Sequence, residues 1–181
     1  MDTWVALLRG VNVSGVNRLP MAGFRDMLAG LGLVSPKTYV QSGNVVFRSG
    51  LTAAALSDRI ADGVLAGFGF RPPVFVLSQS QFQAALTANP FPKAVDEPTH
   101  LHGFFMDRAL PDATMAFLKS VAVPGEDYAI RGRVLWLYLP HGLGRSKLAA
   151  RVTALPIGIT ARNYRSIAAI AEMAAKLGGA A

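Results

Sequence analysis

Side chains able to hold an anion gather at two places in this sequence. At the first, Arg9, Asn12 and Asn17 lie in an eleven-residue polar stretch, 9–19, and Gln41, Ser42 and Asn44 form a second, shorter one. Amides and hydroxyls of this kind both donate and accept hydrogen bonds. Gly10, Gly15 and Gly43 stand among them and permit positive φ and close backbone approach. At the second, Arg145, Lys147, Arg162 and Arg165 bring four cations near the end of the chain. Glycine followed by Arg145-Ser146-Lys147 at a helix start fits anion capture by backbone N–H groups and guanidinium forks. Cations are disfavoured at a helix N-terminus, so a ligand or a carboxylate partner is expected to offset them. Ser146 reads equally well as a plain N-cap.

Other chemistries find less support. Gly10 and Gly15 have the glycine spacing of a Walker loop, but Val16-Asn17 stands where Lys-Ser/Thr is required. Gln41-Ser42-Gly43 does not match the nucleophile elbow G-x-S-x-G. With no cysteine there is no disulfide, thiolate nucleophile or thiolate metal site. His100 and His102 share a strand face, yet no third ligand sits at a suitable spacing, and a polar strand face explains them better than a metal. His141, near the second cationic cluster, could serve as a proton carrier or be a solvated loop residue.

These residues must be positioned by elements, and the pattern alternates short strands with amphipathic helices. Residues 3–9 read as an apolar strand, 20–31 as a helix opened by Pro20, and 37–40 with 45–48 as a hairpin around 41–44. A helix over 52–66 and a strand over 73–77 complete the order β-α-β-β-α-β. A helix near 79–88 leads to the stiff, turn-rich segment Asn89-Pro90-Phe91-Pro92-Lys93. The order then repeats: strand 100–106, helix 111–119, strands 128–130 and 134–139, helix 146–155, strand 158–161. A closing helix spans 166–177 and frays into a small tail over 177–181. The expected fold is α+β, two tandem ferredoxin-like units with an added C-terminal helix. Residues 1–89 form the first unit with its connecting helix, 90–99 the linker, and 100–181 the second.

In such a unit the loop after the first strand and the hairpin between strands two and three lie at one end of the sheet. That places 9–18 beside 41–44. In the second unit, 142–147 and 162–165 share an end by the same reasoning. Connections in compact domains are usually about four to six residues, so the long first loop is expected to carry a ligand role. The alternative is that Asn, Ser and Gly are there as ordinary turn residues. Trp136 and Tyr138 fall on one strand face, as in RNA-recognition sheets. The strands are apolar on both faces, however, so these rings are expected to pack against helices or the other unit.

Five ordered motifs resemble one known family. They are the opening Val5-Ala6-Leu7-Leu8-Arg9-Gly10-Val11-Asn12-Val13, then Pro20-Met21, then Tyr39-Val40-Gln41-Ser42-Gly43-Asn44-Val45-Val46-Phe47. Near the end stand Gly142-Leu143-Gly144-Arg145-Ser146-Lys147-Leu148 and Thr160-Ala161-Arg162-Asn163-Tyr164-Arg165. Together they resemble the bacterial family known as domain of unknown function 1697. The resemblance covers nearly the whole chain and implies the two-unit α+β fold; it implies no activity. Ser14 and Val16 replace the usual glycine and a more polar or basic residue, and Tyr164 stands where Trp is common. Val16 weakens the first loop as a cationic element.

Composition sets the remaining bounds. The 181 residues are 51% hydrophobic and 16% charged, which excludes disorder. No run of eighteen apolar residues offers a membrane span, and Met1-Asp2-Thr3-Trp4 lacks a basic signal region. A cytoplasmic protein with no membrane partner is expected. The net charge of +7 is uneven: residues 1–127 hold ten basic and ten acidic residues, whereas 128–181 hold eight basic residues and Glu172. Such polarity draws phosphates, or it reflects an arginine-rich composition. The expected function is binding of a phosphate-bearing ligand, nucleotide or nucleic acid. The alternatives are an enzyme acting on a small phosphorylated or acidic substrate, and a structural or partner-binding module. No cofactor, reaction or oligomeric state follows from the sequence.

Overall fold

The computed structural model describes residues 1–179, so the end of the expected tail, Ala180 and Ala181, lies outside the described residues. The chain divides into two compact units, Met1–Ala84 with Ala168–Ala181, and Ala85–Ile167.

The first unit runs β1 (Asp2–Leu8), α1 (Met21–Gly30), β2 (Val34–Tyr39), β3 (Asn44–Ser49), α2 (Ala53–Phe68), β4 (Val74–Ser78) and α3 (Gln79–Thr87). Its four strands form one antiparallel sheet in the order β2-β3-β1-β4. Alternate residues of β1 and β3, Ala6, Leu8, Val45 and Phe47, meet Phe24 and Leu28 of α1 and Leu56, Ile60 and Val64 of α2 in a buried core. Val5 and Leu7, on the other face of β1, are also fully buried. That is why the strand reads as an unbroken apolar run.

The second unit opens with a 3-10 turn at Pro92–Asp96 in the expected linker. It continues with β5 (Leu101–Met106), α4 (Asp112–Val121), β6 (Asp127–Arg131), β7 (Val134–Tyr138), α5 (Lys147–Thr153) and β8 (Ile159–Asn163). Its antiparallel sheet has the order β6-β7-β5-β8, the first sheet's arrangement over again. Phe104, Met106, Leu135 and Leu137 pack there against Leu118 of α4 and Leu148 and Val152 of α5. The closing helix α6 (Tyr164–Gly178) starts in the second unit and from Ala168 is counted with the first. The sequence pattern alone kept all of it with the second unit.

The β-α-β-β-α-β order thus occurs twice. The two copies differ most plainly in one connection. Residues 9–20 join β1 to α1, whereas 107–111 suffice between β5 and α4.

Candidate functional site: the open end of the first sheet

The 9–20 connection is not slack. Its centre is a two-residue β-turn in which Ser14 (φ 50°) and Gly15 (φ 80°) both take positive φ, as the tight hairpin turn of type I′ requires. Val16 N–H donates to Val13 O at 3.0 Å, and Asn12 N–H to Asn17 O at 3.0 Å. The result is a small β-finger over 12–17.

Asn12 fastens this finger. Its Nδ2 donates to Leu19 O at 3.0 Å and to Gln41 O at 2.8 Å, while its Oδ1 accepts from Leu19 N–H at 2.8 Å. Asn17 Nδ2 donates to Gly10 O at 2.9 Å. Both asparagines sit in the left-handed region, which Asn tolerates better than most residues. The bond to Gln41 O joins the first loop to the 40–43 hairpin, so the two loops do meet at one end of the sheet. Leu8 N–H donating to Gly43 O at 2.8 Å ties the same hairpin to the end of β1. Asn44 is fully buried and donates through Nδ2 to Tyr39 O and Ser42 Oγ.

Three of the polar residues singled out by type, Asn12, Asn17 and Asn44, therefore spend hydrogen bonds on holding the loops. Arg9 is half-buried at the loop's start, and Gln41 and Ser42 are exposed.

Between the fastened loops and the start of α1 lies an open cavity of about 510 Å³. Asn12 and Gln41 form one side, Arg18 and Arg25 supply charge, and the first residues of α1 close it. Pro20 is the N-cap, with no side-chain cap and no acidic residue in the first turn. The first intrahelical bond is Phe24 N–H to Pro20 O, so the N–H groups of Met21, Ala22 and Gly23 find no acceptor within the helix. Thr52 caps α2 and Ser146 caps α5, whereas α4 also starts at a proline without a side-chain cap, Pro111, but carries Asp112 in its first turn. Arg25 is held by Nη1 donating to Thr38 Oγ1 at 2.7 Å, while Arg18 is exposed.

Residue types alone missed Arg18 and Arg25. The charge balance over 1–127 cancels and hides them. Between residues 3 and 57 alone there are five basic residues, Arg9, Arg18, Arg25, Lys37 and Arg48, against the single acid Asp26.

The second cationic group is arranged differently. β7 and β8 both run antiparallel to β5, so the segments leaving them share an end of the sheet. Arg145, Lys147 and Arg165 are exposed there. Arg162 is not: it is 8% exposed, pairs in register with Gly103, and donates through Nη1 to Thr160 Oγ1 (2.9 Å) and Ala161 O (2.7 Å). Burial lowers its pKa to about 10. Ser146 Oγ accepts from Ala149 N–H at 3.0 Å, the plain N-cap of its alternative reading.

The histidines do not form a polar strand face. His102 is only 6% exposed, and desolvation lowers its pKa, whereas His100 Nδ1 lies 2.6 Å from Glu97 Oε2 just before β5. Among the described residues no group of three or more His, Asp or Glu could hold a metal ion. Nor is any helix long and apolar enough to cross a membrane. Trp136 has no exposed surface on which a base could stack; its ring lies 6.4 Å from that of Tyr164. Tyr138 is half-buried beside Phe91, with centroids 6.3 Å apart.

Repeated element order, matching strand order and an added C-terminal helix define a two-unit α+β protein. The chain belongs to the DUF1697 family of proteins of unknown function, whose profile matches residues 1–136. Its fold is similar to that of the conserved bacterial protein SP0830 from Streptococcus pneumoniae, with a TM-score of 0.77 and 24% identity over 96% of this chain and 98% of that one. No curated protein matches the sequence.

Proposed function

We propose that the open end of the first sheet binds a phosphate-bearing ligand, a nucleotide or a nucleic acid. One observation carries this reading: the uncapped start of α1, with two arginines beside it, opens into a cavity and has no acid in its first turn. The magnitudes assign the parts. A helix start contributes roughly 0.3–1 kcal/mol toward an anion. A charge-assisted hydrogen bond contributes roughly 1.5–3 kcal/mol. Arg18 and Arg25 would therefore supply most of the affinity, and the N–H groups of Met21, Ala22 and Gly23 would fix where the phosphate sits.

Arg9 and Gln41 would add polar contacts around it, with Ser42 beside them on the hairpin. Asn12, Asn17 and Asn44 would act by holding the loops. Arg145, Lys147 and Arg165 are proposed as a separate phosphate contact on the second unit, and Arg162 as its buried support. Binding is favoured over catalysis because the cavity lining includes no His, Asp, Glu, Ser or Lys that could move a proton or attack. His141 is not among the lining residues either.

Calorimetric titration with a ribonucleoside triphosphate tests this. Arg18→Ala is expected to weaken binding about tenfold or more. Because Arg18 is exposed, the melting temperature should stay at the wild-type value. Equal affinity in the variant, or no binding by the wild type at millimolar ligand, would overturn the assignment.

A further inference from the structure

The finger that rises from the cavity rim carries, flanking its Ser14-Gly15 turn, an apolar pair that the fold does not use. Asn12 and Arg18 both line the cavity, and the segment between them projects Val13 and Val16, which remain 55% and 61% exposed. Both are β-branched, and they pair across the turn as an isolated antiparallel bridge. The finger is held in one shape by the asparagine bonds at its base, so the valines are presented on a preorganised projection. Val40, at the same end of the sheet, is 54% exposed and sits at φ 49°, a region costly for a β-branched residue. Of the cations in this part of the chain, Arg18 and Arg25 line the cavity beside the finger and Arg9 stands at the start of the same loop.

We infer that the Val13–Val16 pair on the finger is a base contact for single-stranded nucleic acid, whose phosphates are held at Arg18 and Arg25. This rests on the phosphate reading of the cavity and narrows it to a polymer. The argument is complementarity: an apolar pair on a fastened finger beside cations matches a ligand whose flat apolar faces are joined by phosphates. In duplex DNA, minor-groove proteins likewise combine Arg or Lys contacts with apolar side chains set against base steps. In a single strand the base faces are accessible without breaking pairs, which is why single strands are expected to be favoured over duplexes. The chemistry does not involve the 2′-hydroxyl, so DNA and RNA of one sequence should share the valine contribution.

The test is fluorescence anisotropy of a labelled mixed-sequence single-stranded RNA, with inorganic polyphosphate as a competitor that has charge but no bases. Val13→Ser/Val16→Ser is expected to weaken RNA binding about fivefold to tenfold, as for two partly buried apolar groups. Polyphosphate affinity and the salt dependence of RNA binding should not change, since no phosphate contact is removed. Arg18→Ala should weaken both ligands and flatten the salt dependence. If the valine variant binds RNA as tightly as the wild type, the pair is not a base contact, and the phosphate reading stands without it. If it loses polyphosphate in equal measure, the valines act through the cavity and the inference fails. If the wild type binds neither ligand, the inference fails, and the titration with a ribonucleoside triphosphate alone decides the phosphate reading. Both valines are exposed, so an unchanged melting temperature is expected to accompany each result.

Discussion

A single asparagine shows how residue type can mislead about role. Asn12 looks like a ligand contact because its amide can both donate and accept. In the folded chain both Nδ2 donors and one acceptor position of Oδ1 go to Leu19 and Gln41 main-chain groups. Its position in the left-handed region adds a second demand that few side chains meet. Asn12→Ala would leave Leu19 N–H and two carbonyl oxygens without their partner and force alanine into an unfavourable φ. We expect a loss of about 2 kcal/mol of folding stability, in the range of a half-buried hydrogen-bonding group removed. Urea unfolding measures it, and a midpoint within error of the wild type would show the brace to be dispensable. Arg162 teaches the converse. Its cation resembled part of an exposed anion site, yet alternation along β8 places it opposite Gly103 and inside the protein. That outcome depends on strand register, which a residue list does not contain.

At the scale of elements, most of the positioning was legible. Apolar periodicity and the turn residues gave both sets of four strands and their helices, with ends displaced by a few residues. The order β-α-β-β-α-β alone requires the first loop and the first hairpin to share an end, and the bond from Asn12 to Gln41 O confirms that they meet. What periodicity could not reveal was the shape of the 9–20 loop, because a β-finger built on positive φ leaves no hydrophobic pattern. Nor could it reveal that α1 lacks a side-chain cap, since Pro20 serves as the N-cap without donating or accepting through its side chain. The hairpin's seat on β1 depends on Gly43. A Cβ there would lie 2.7 Å from Val11 Cγ2 and 2.8 Å from Leu8 Cβ, at φ 70°. Leu8 Cβ is anchored to buried backbone and cannot swing aside. Gly43→Ala should therefore cost about 1–3 kcal/mol and loosen the hairpin from the first loop. Thermal unfolding checks the first effect and amide exchange at residues 40–43 the second; wild-type values in both would contradict the close fit.

For the whole molecule, the internal repeat acts as its own control. Two units share element order and strand order, and the second manages the equivalent crossover with 107–111 where the first spends 9–20. The additional residues are not needed to connect a strand to a helix in this topology. They build the cavity rim, deliver Arg18 to it and project the valine finger. Net charge pointed elsewhere: the excess over 128–181 is real, but summing 1–127 concealed the basic segment around α1. Charge had to be counted over the elements that share an end of the sheet, which requires the topology first. The central claim is that a phosphate sits at the start of α1 beside Arg18 and Arg25. The most direct measurement is a ¹H–¹⁵N correlation spectrum of the protein titrated with a ribonucleoside triphosphate. Saturable shifts concentrated on the amides of Met21, Ala22 and Gly23, with Arg18 and Gln41 following, are the predicted result. Saturable shifts confined to other parts of the chain, or none at millimolar ligand, would contradict it.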